Sequence, residues 1–169
     1  MSNKKLKHII YTAVFASIIC AVTLTIKIPA FGSAGGYYHI GDAFIYLAGV
    51  CLFFPYAPIA GAIGASLADL LSGYAVYAVP TFIIKALMAL FFTNKKSKIL
   101  CAENFLAVVI AFFITVAGYY ITEVVMLNSF VGAAAALYGN AMQAFVSAVI
   151  FIATGIAVDK TNLRNKMFK

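Results

Sequence analysis

Long apolar runs alternate along the chain with short interruptions rich in Gly, Pro or Lys. The runs predict six helices, at 8–28, 43–54, 59–72, 80–92, 103–127 and 133–158. The first follows a basic start, but it is too long for the apolar core of a signal peptide, and further runs follow. Residues 29–41 (PAFGSAGGYYHIG) form a loop rich in Gly and aromatics, and Asp42 is placed to cap the second helix. Pro55 and Pro58 bracket a tight reversal. A Gly-Tyr loop is expected at 73–79, and Pro80 suits the first turn of the fourth helix. The second, third and fourth runs are short for a full crossing, so tilt or reversal within a bilayer is expected there.

Composition turns this helical pattern into a membrane assignment. Hydrophobic residues make up 64% of the 169 and charged residues only 10%, against roughly 25% charged in an ordinary globular domain. Fifteen Phe and ten Tyr exclude a disordered chain. Each crossing takes about 20 residues, so the length holds at most about six, with no room for a soluble catalytic domain. The expected fold is an all-α membrane protein, a six-transmembrane-helix bundle forming one domain over 1–169, with no internal repeat.

The net charge of +7 does not call for nucleic acid. Ten of the twelve basic residues fall in three clusters: Lys4, Lys5 and Lys7; Lys95, Lys96 and Lys98; Lys160, Arg164, Lys166 and Lys169. Each cluster flanks an apolar run, as the positive-inside rule produces. Six crossings then put all three clusters, and both termini, on the cytoplasmic side of a cell membrane. Cys20, Cys51 and Cys101 have no metal-ligand spacing and imply no disulfide framework.

Several catalytic classes lack their residues. There is no G-x-x-x-x-G-K-[ST] loop, no G-x-S-x-G elbow and no H-E-x-x-H. His8 and His39 fall on opposite sides of the membrane in this topology. No enzyme, metal or cofactor is therefore expected.

The informative charges are those away from the basic clusters: Lys27, Asp42, Asp69, Lys85 and Glu123. Charges within a membrane are costly and by default mark a binding site or ion path. Asp69, Lys85 and Glu123 each lie about 6–8 Å below the outer end of their helix, at about 1.5 Å per residue. Asn140 and Gln143 lie slightly deeper on the sixth helix, with Ser147 on the same face. One reading pairs Asp69 with Lys85 structurally and sends Glu123 to the headgroups. The other is an outward-facing polar pocket lined by Asp69, Lys85, Glu123, Asn140 and Gln143. Tyr74, Tyr77, Tyr119 and Tyr120 are placed to close it, and the first loop brings Tyr37, Tyr38 and His39 as a mobile lid. Such a pocket suits a small planar heterocycle, which tyrosines stack on and carboxylates bind through N–H groups.

Small residues form two stripes. Ala57, Gly61 and Ala65 run up to Asp69 and suit internal packing. Ala13, Ser17 and Ala21 on the first helix, with Thr12 and Ala16 beside them, suit either internal packing or docking to another membrane protein.

The stretches Tyr38-His39-Ile40-Gly41-Asp42-Ala43, AGAIGASLADLLSGY at 60–74 and PTFIIKAL at 80–87 resemble the substrate-binding S components of energy-coupling factor (ECF) vitamin transporters. The likeness is to the riboflavin-type branch, which also includes hydroxymethylpyrimidine and pyridoxine carriers. It covers the whole chain in size and layout, although its specific motifs end at Leu87. The resemblance implies a six-helix bundle in a prokaryotic plasma membrane that binds a vitamin near the outer face. It also implies partners: a transmembrane T component and two ATPases, whose ATP hydrolysis topples the S component. The family docks on its T component through an Ala-x-x-x-Ala motif, which here resembles Ala13-x-x-x-Ser17. Hydroxymethylpyrimidine or pyridoxine is expected ahead of riboflavin. The alternatives are a stand-alone secondary transporter with a proton on Asp69 or Glu123, and an assembly subunit without a ligand.

Overall fold

A computed structural model describes residues 3–29 and 37–161, with side chains from Lys5 onward. The glycine-rich part of the first loop (30–36), the Lys4 side chain and Arg164, Lys166 and Lys169 lie outside the described residues. The elements run α1 (Asn3–Thr25), β1 (Lys27–Pro29), β2 (Tyr37–His39), α2 (Asp42–Cys51), α3 (Tyr56–Leu71), α4 (Ala75–Leu90), α5 (Ala102–Leu127) and α6 (Phe130–Thr161). Six helices are thus present among the described residues at the six predicted places, with three main differences. In addition α3 starts at Tyr56, so Pro58 does not bracket the reversal but sits in the first turn of the helix, where a missing amide costs no helical bond.

The first helix stops at Thr25, because Lys27–Pro29 leaves it to pair antiparallel with Tyr37–His39. Ile28 faces Tyr38 across this two-stranded hairpin. Three-residue strands carry too little alternation to be read from sequence.

The second difference is α4, which starts at Ala75, leaving Pro80 inside it. The expected 73–79 loop shrinks to a tight reversal. Gly73 adopts φ +83°, and the amide of Tyr74 reaches back to the carbonyl of Asp69 at 2.9 Å while that of Gly73 reaches Leu70 at 3.3 Å. This pair of bonds terminates a helix within two residues and needs the left-handed conformation that glycine adopts freely.

The third is Asp42, which does not cap. It is the first residue of α2, Gly41 precedes it as the cap, and its side chain turns inward.

Helices α1, α5 and α6 are long and apolar enough to cross a membrane, whereas α2, α3 and α4 have 10, 16 and 16 residues. At about 1.5 Å per residue, α2 reaches only about half of a bilayer core. Burial is inverted relative to a water-soluble protein. Phe113, Phe145, Leu106 and Val125 point outward, while Asp42, Asp69, Lys85, Asn104, Glu123, Asn140 and Gln143 are buried. Outward apolar side chains with inward charges suit a hydrocarbon surround.

Small residues set the spacing of the bundle. A β-carbon on Gly64 would press on the backbone of Ala16 and on Ile19, so α1 and α3 meet closely there. α1 buries Thr12, Ala16, Ile19 and Thr23 along its inner face and leaves Ala13, Ser17 and Ala21 exposed. On α3, Ala57, Gly61 and Ala65 are buried, as internal packing requires. Below the buried charges the interior becomes apolar. Tyr46, Phe92 and Phe151 pack ring on ring at 5.0–5.8 Å between centroids.

Candidate functional site

Asn104 is held at the α4–α5 connection by Thr93 and Ile99. The buried charges, with Asn140 and Gln143, gather toward the end of the bundle where α3 ends and α4 begins, under the β1–β2 hairpin. The antiparallel meeting of α4 and α5 supplies one wall. Tyr77 donates to the Glu123 carboxylate. One turn deeper Thr81 and Tyr119 hydroxyls bond at 3.0 Å, and the Lys85 ammonium sits 5.0 Å from the Tyr119 ring centroid. Residues 77, 81 and 85 are spaced at four on α4, so they form one stripe facing α5.

The opposite wall holds a buried relay. Lys85 Nζ lies 2.7 Å from Asp42 Oδ1, both side chains being inaccessible. Gln143 donates through Nε2 to Asp42 Oδ2 at 2.9 Å and accepts the His39 backbone amide on Oε1 at 3.1 Å. An ion pair deep in the bundle is thereby linked through one glutamine to the hairpin. Lys85 therefore pairs with Asp42, not with Asp69 as the structural reading of the sequence supposed. A lysine at full burial needs a carboxylate in contact, and α2 supplies it.

The hairpin is fastened elsewhere too. Tyr37 donates to Asp69 Oδ1 at 2.8 Å, and its ring packs against Tyr74 at 5.1 Å. Lys27 reaches the Ser72 hydroxyl at 3.2 Å and lies over the Tyr37 ring. Burial first, then the Asp69 carboxylate, push the Tyr37 phenol up, so it remains a donor. His39 is buried and its imidazole is pushed down to about 4, chiefly by loss of solvent. Its Nδ1 accepts the Gly41 amide at 3.1 Å, which assigns the ring proton to Nε2.

Between these walls lies a small polar cavity of about 30 Å³. It is lined by Tyr37, Tyr38, His39, Asp69, Tyr77, Thr81, Tyr119, Glu123, Ala136, Asn140 and Gln143. Of the residues singled out from sequence, Asp69, Glu123, Asn140, Gln143, Tyr77, Tyr119, Tyr38 and His39 meet there. Lys85 does not line the cavity; it supports the wall from beneath. Tyr74 packs behind Tyr37, and Tyr120 turns away to donate to the Phe130 carbonyl at 3.2 Å. Ser147 lies inside the bundle, off the cavity.

Thr81 and Ala136 were not anticipated, and Tyr37 was noted only as part of the loop. The signal for Thr81 was its place one turn from both Tyr77 and Lys85. Two carboxylates, four tyrosines and two side-chain amides can together grip a small ring bearing N–H and hydroxyl groups. Among the described residues no cluster of His, Cys, Asp and Glu is arranged to hold a metal.

An inverted, apolar-surfaced helical bundle with a polar pocket at one end defines a membrane-embedded binding protein. The family comparison makes this specific: the chain belongs to the ECF-type riboflavin transporter S component family, whose profile matches residues 3–160. S components are the non-enzymatic substrate-binding subunits of vitamin transporters in prokaryotic membranes. A comparison with curated proteins finds no match.

Proposed function

We propose that the pocket beneath the hairpin binds a small single-ring heterocyclic vitamin or precursor. Hydroxymethylpyrimidine or pyridoxine is favoured over the riboflavin for which the family is named. The observation that carries this is the placement of two carboxylates, Asp69 and Glu123, each held by a tyrosine hydroxyl, in one small cavity. Carboxylates accept hydrogen bonds and attract positive charge, so they match a ring with a basic nitrogen, an amino group or hydroxymethyl arms. A neutral fused tricycle matches them less well. Ligand entry displaces the hairpin, which its described residues fasten to Asp69, Gln143 and Ser72.

In this reading all six helices lie in the plasma membrane with both termini cytoplasmic, and the pocket opens outward. The chain delivers its ligand with a T component and two ATPases. Ala13, Ser17 and Ala21, exposed along α1 while its other face packs on α3, form the docking stripe. Uptake of labelled ligand into cells tests the assignment. Uptake should require co-expressed T component and ATPases. Uptake by this chain alone, tracking the proton gradient, would replace the reading with a secondary transporter. Mass spectrometry of the small molecule that co-purifies identifies the vitamin.

A further inference from the structure

A second cavity adjoins the polar one, and the two share a wall. It is an apolar groove of about 450 Å³ between the hairpin and the outer face of α6, bordered by Ile28, Tyr138 and Met142. Tyr38, His39 and Gln143 line both spaces. His39 and Gln143 are held by the relay to Asp42. Tyr38 is held differently. Tyr37, Tyr77 and Tyr119 each commit a hydroxyl to a side chain of the bundle, whereas the Tyr38 ring lies flush on α6 at Gly139. A β-carbon at 139 would collide with that ring at Cζ, Cε1 and the hydroxyl. Gly139 is therefore a notch, and the ring seated in it is the partition between a polar space and an apolar one.

We propose that Tyr38, seated on Gly139, is the residue that limits ligand size. With the ring in place the polar pocket, about 30 Å³ before any ligand enters, is closed off from the groove. With the ring displaced the two spaces become one, polar at the carboxylates and apolar toward α6. That combined shape takes a fused-ring ligand, polar ring inward and hydrocarbon ring in the groove. The inference deepens the reading above and rests on it for the polar end of the ligand. The partition itself is a matter of geometry.

Two measurements on the full chain test it. The first is equilibrium binding of pyridoxine as a one-ring probe and riboflavin as a fused-ring probe, the latter read by its own fluorescence against a chain without Trp. Relative affinity for riboflavin over pyridoxine should rise about tenfold in both Tyr38→Ala and Gly139→Ala, and stay at the wild-type value in Tyr38→Phe, which keeps the ring. An unchanged ratio in both variants, or equal binding of both probes by the wild type, overturns the proposal.

The second needs no ligand. A cysteine placed by Ala136→Cys, with the three native cysteines changed to Ser, is labelled with pyrene maleimide. Labelling should run about tenfold faster when Tyr38→Ala is added, and equal rates overturn the partition. If the wild type binds neither probe nor hydroxymethylpyrimidine, the heterocycle reading is what fails, and the labelling rates still decide the role of Tyr38.

Discussion

Two lysine–carboxylate pairs of nearly equal length stand at opposite ends of the burial scale. Lys85 and Asp42 meet at 2.7 Å with both side chains at 0% exposure, whereas Lys96 and Glu103 meet at 2.5 Å with 54% and 48% exposed. Distance alone would rank them together. Surroundings separate them: solvent screens the exposed pair, which is worth little, while neither buried charge has an alternative partner in water. The buried pair also holds Gln143, and through it the hairpin amide of His39. The exposed pair joins the α4–α5 connection to the first turn of α5, where backbone amides of Ile99 and Leu100 are already held by Asp159. One pair organises the site. The other decorates a loop that is fixed without it.

Breaking the buried pair from one side gives the largest expected effect. Lys85→Met leaves the Asp42 carboxylate buried without its cation and should lower stability by about 3–5 kcal/mol, read as a fall in unfolding midpoint in detergent. Replacing both, with Asp42→Leu added, should recover most of that loss. No recovery would mean that the pair is more than mutual compensation.

Next come the two carboxylates of the cavity. Asp69→Asn and Glu123→Gln keep an acceptor for Tyr37 and Tyr77 but remove the charge. Each should weaken ligand binding roughly tenfold to a hundredfold, as loss of a charge-assisted hydrogen bond does, with unfolding midpoints near the wild-type value.

Gln143→Leu separates the hairpin from the ion pair. The expected cost is about 1–3 kcal/mol for stranding buried polar partners, and amide exchange at His39 should accelerate while that of α5 stays protected.

A smaller effect follows from His39, whose imidazole lies at about 4 in place of 6.5 when the hairpin is docked. Its docked value is depressed, so protonation favours the undocked hairpin. Docking is complete above about pH 6.5 and is lost as the pH falls through about 4. Exchange at the hairpin amides measured against pH should follow this window, and His39→Gln should remove it. Smallest of all, Lys96→Gln should change neither stability nor binding measurably. A clear loss there would contradict the ranking by burial.

Much of the site was legible because charge is conspicuous in an apolar chain. Asp69 and Glu123 announced themselves by sitting inside runs that otherwise exclude charge, and the helix ends put them at one depth. Asp42 was visible as a charge but misread, because a Gly-Asp-Ala step before an apolar run satisfies the local rule for a cap. Its true partner lies 43 residues further on (85 − 42), a tertiary fact that no local pattern carries. The start of α4 was misplaced for a similar reason: Gly73 and Pro80 looked like two ends of one loop, whereas Gly73 alone completes the turn. Tyr38 was singled out with its neighbours, but its resting place on Gly139 depends on how the hairpin folds over α6. The pairing of Lys27–Pro29 with Tyr37–His39 was hidden by the shortness of both strands.

The central claim is that the paired carboxylates under the hairpin recognise a single basic ring. Calorimetric titration of pyridoxine and of hydroxymethylpyrimidine into the purified chain, beside the Asp69→Asn/Glu123→Gln double variant, tests it most directly. Saturable binding of at least one of them at one site per chain, lost in a double variant that remains folded, is the expected result. Binding of equal strength in the two proteins, or none to the wild type, would contradict it.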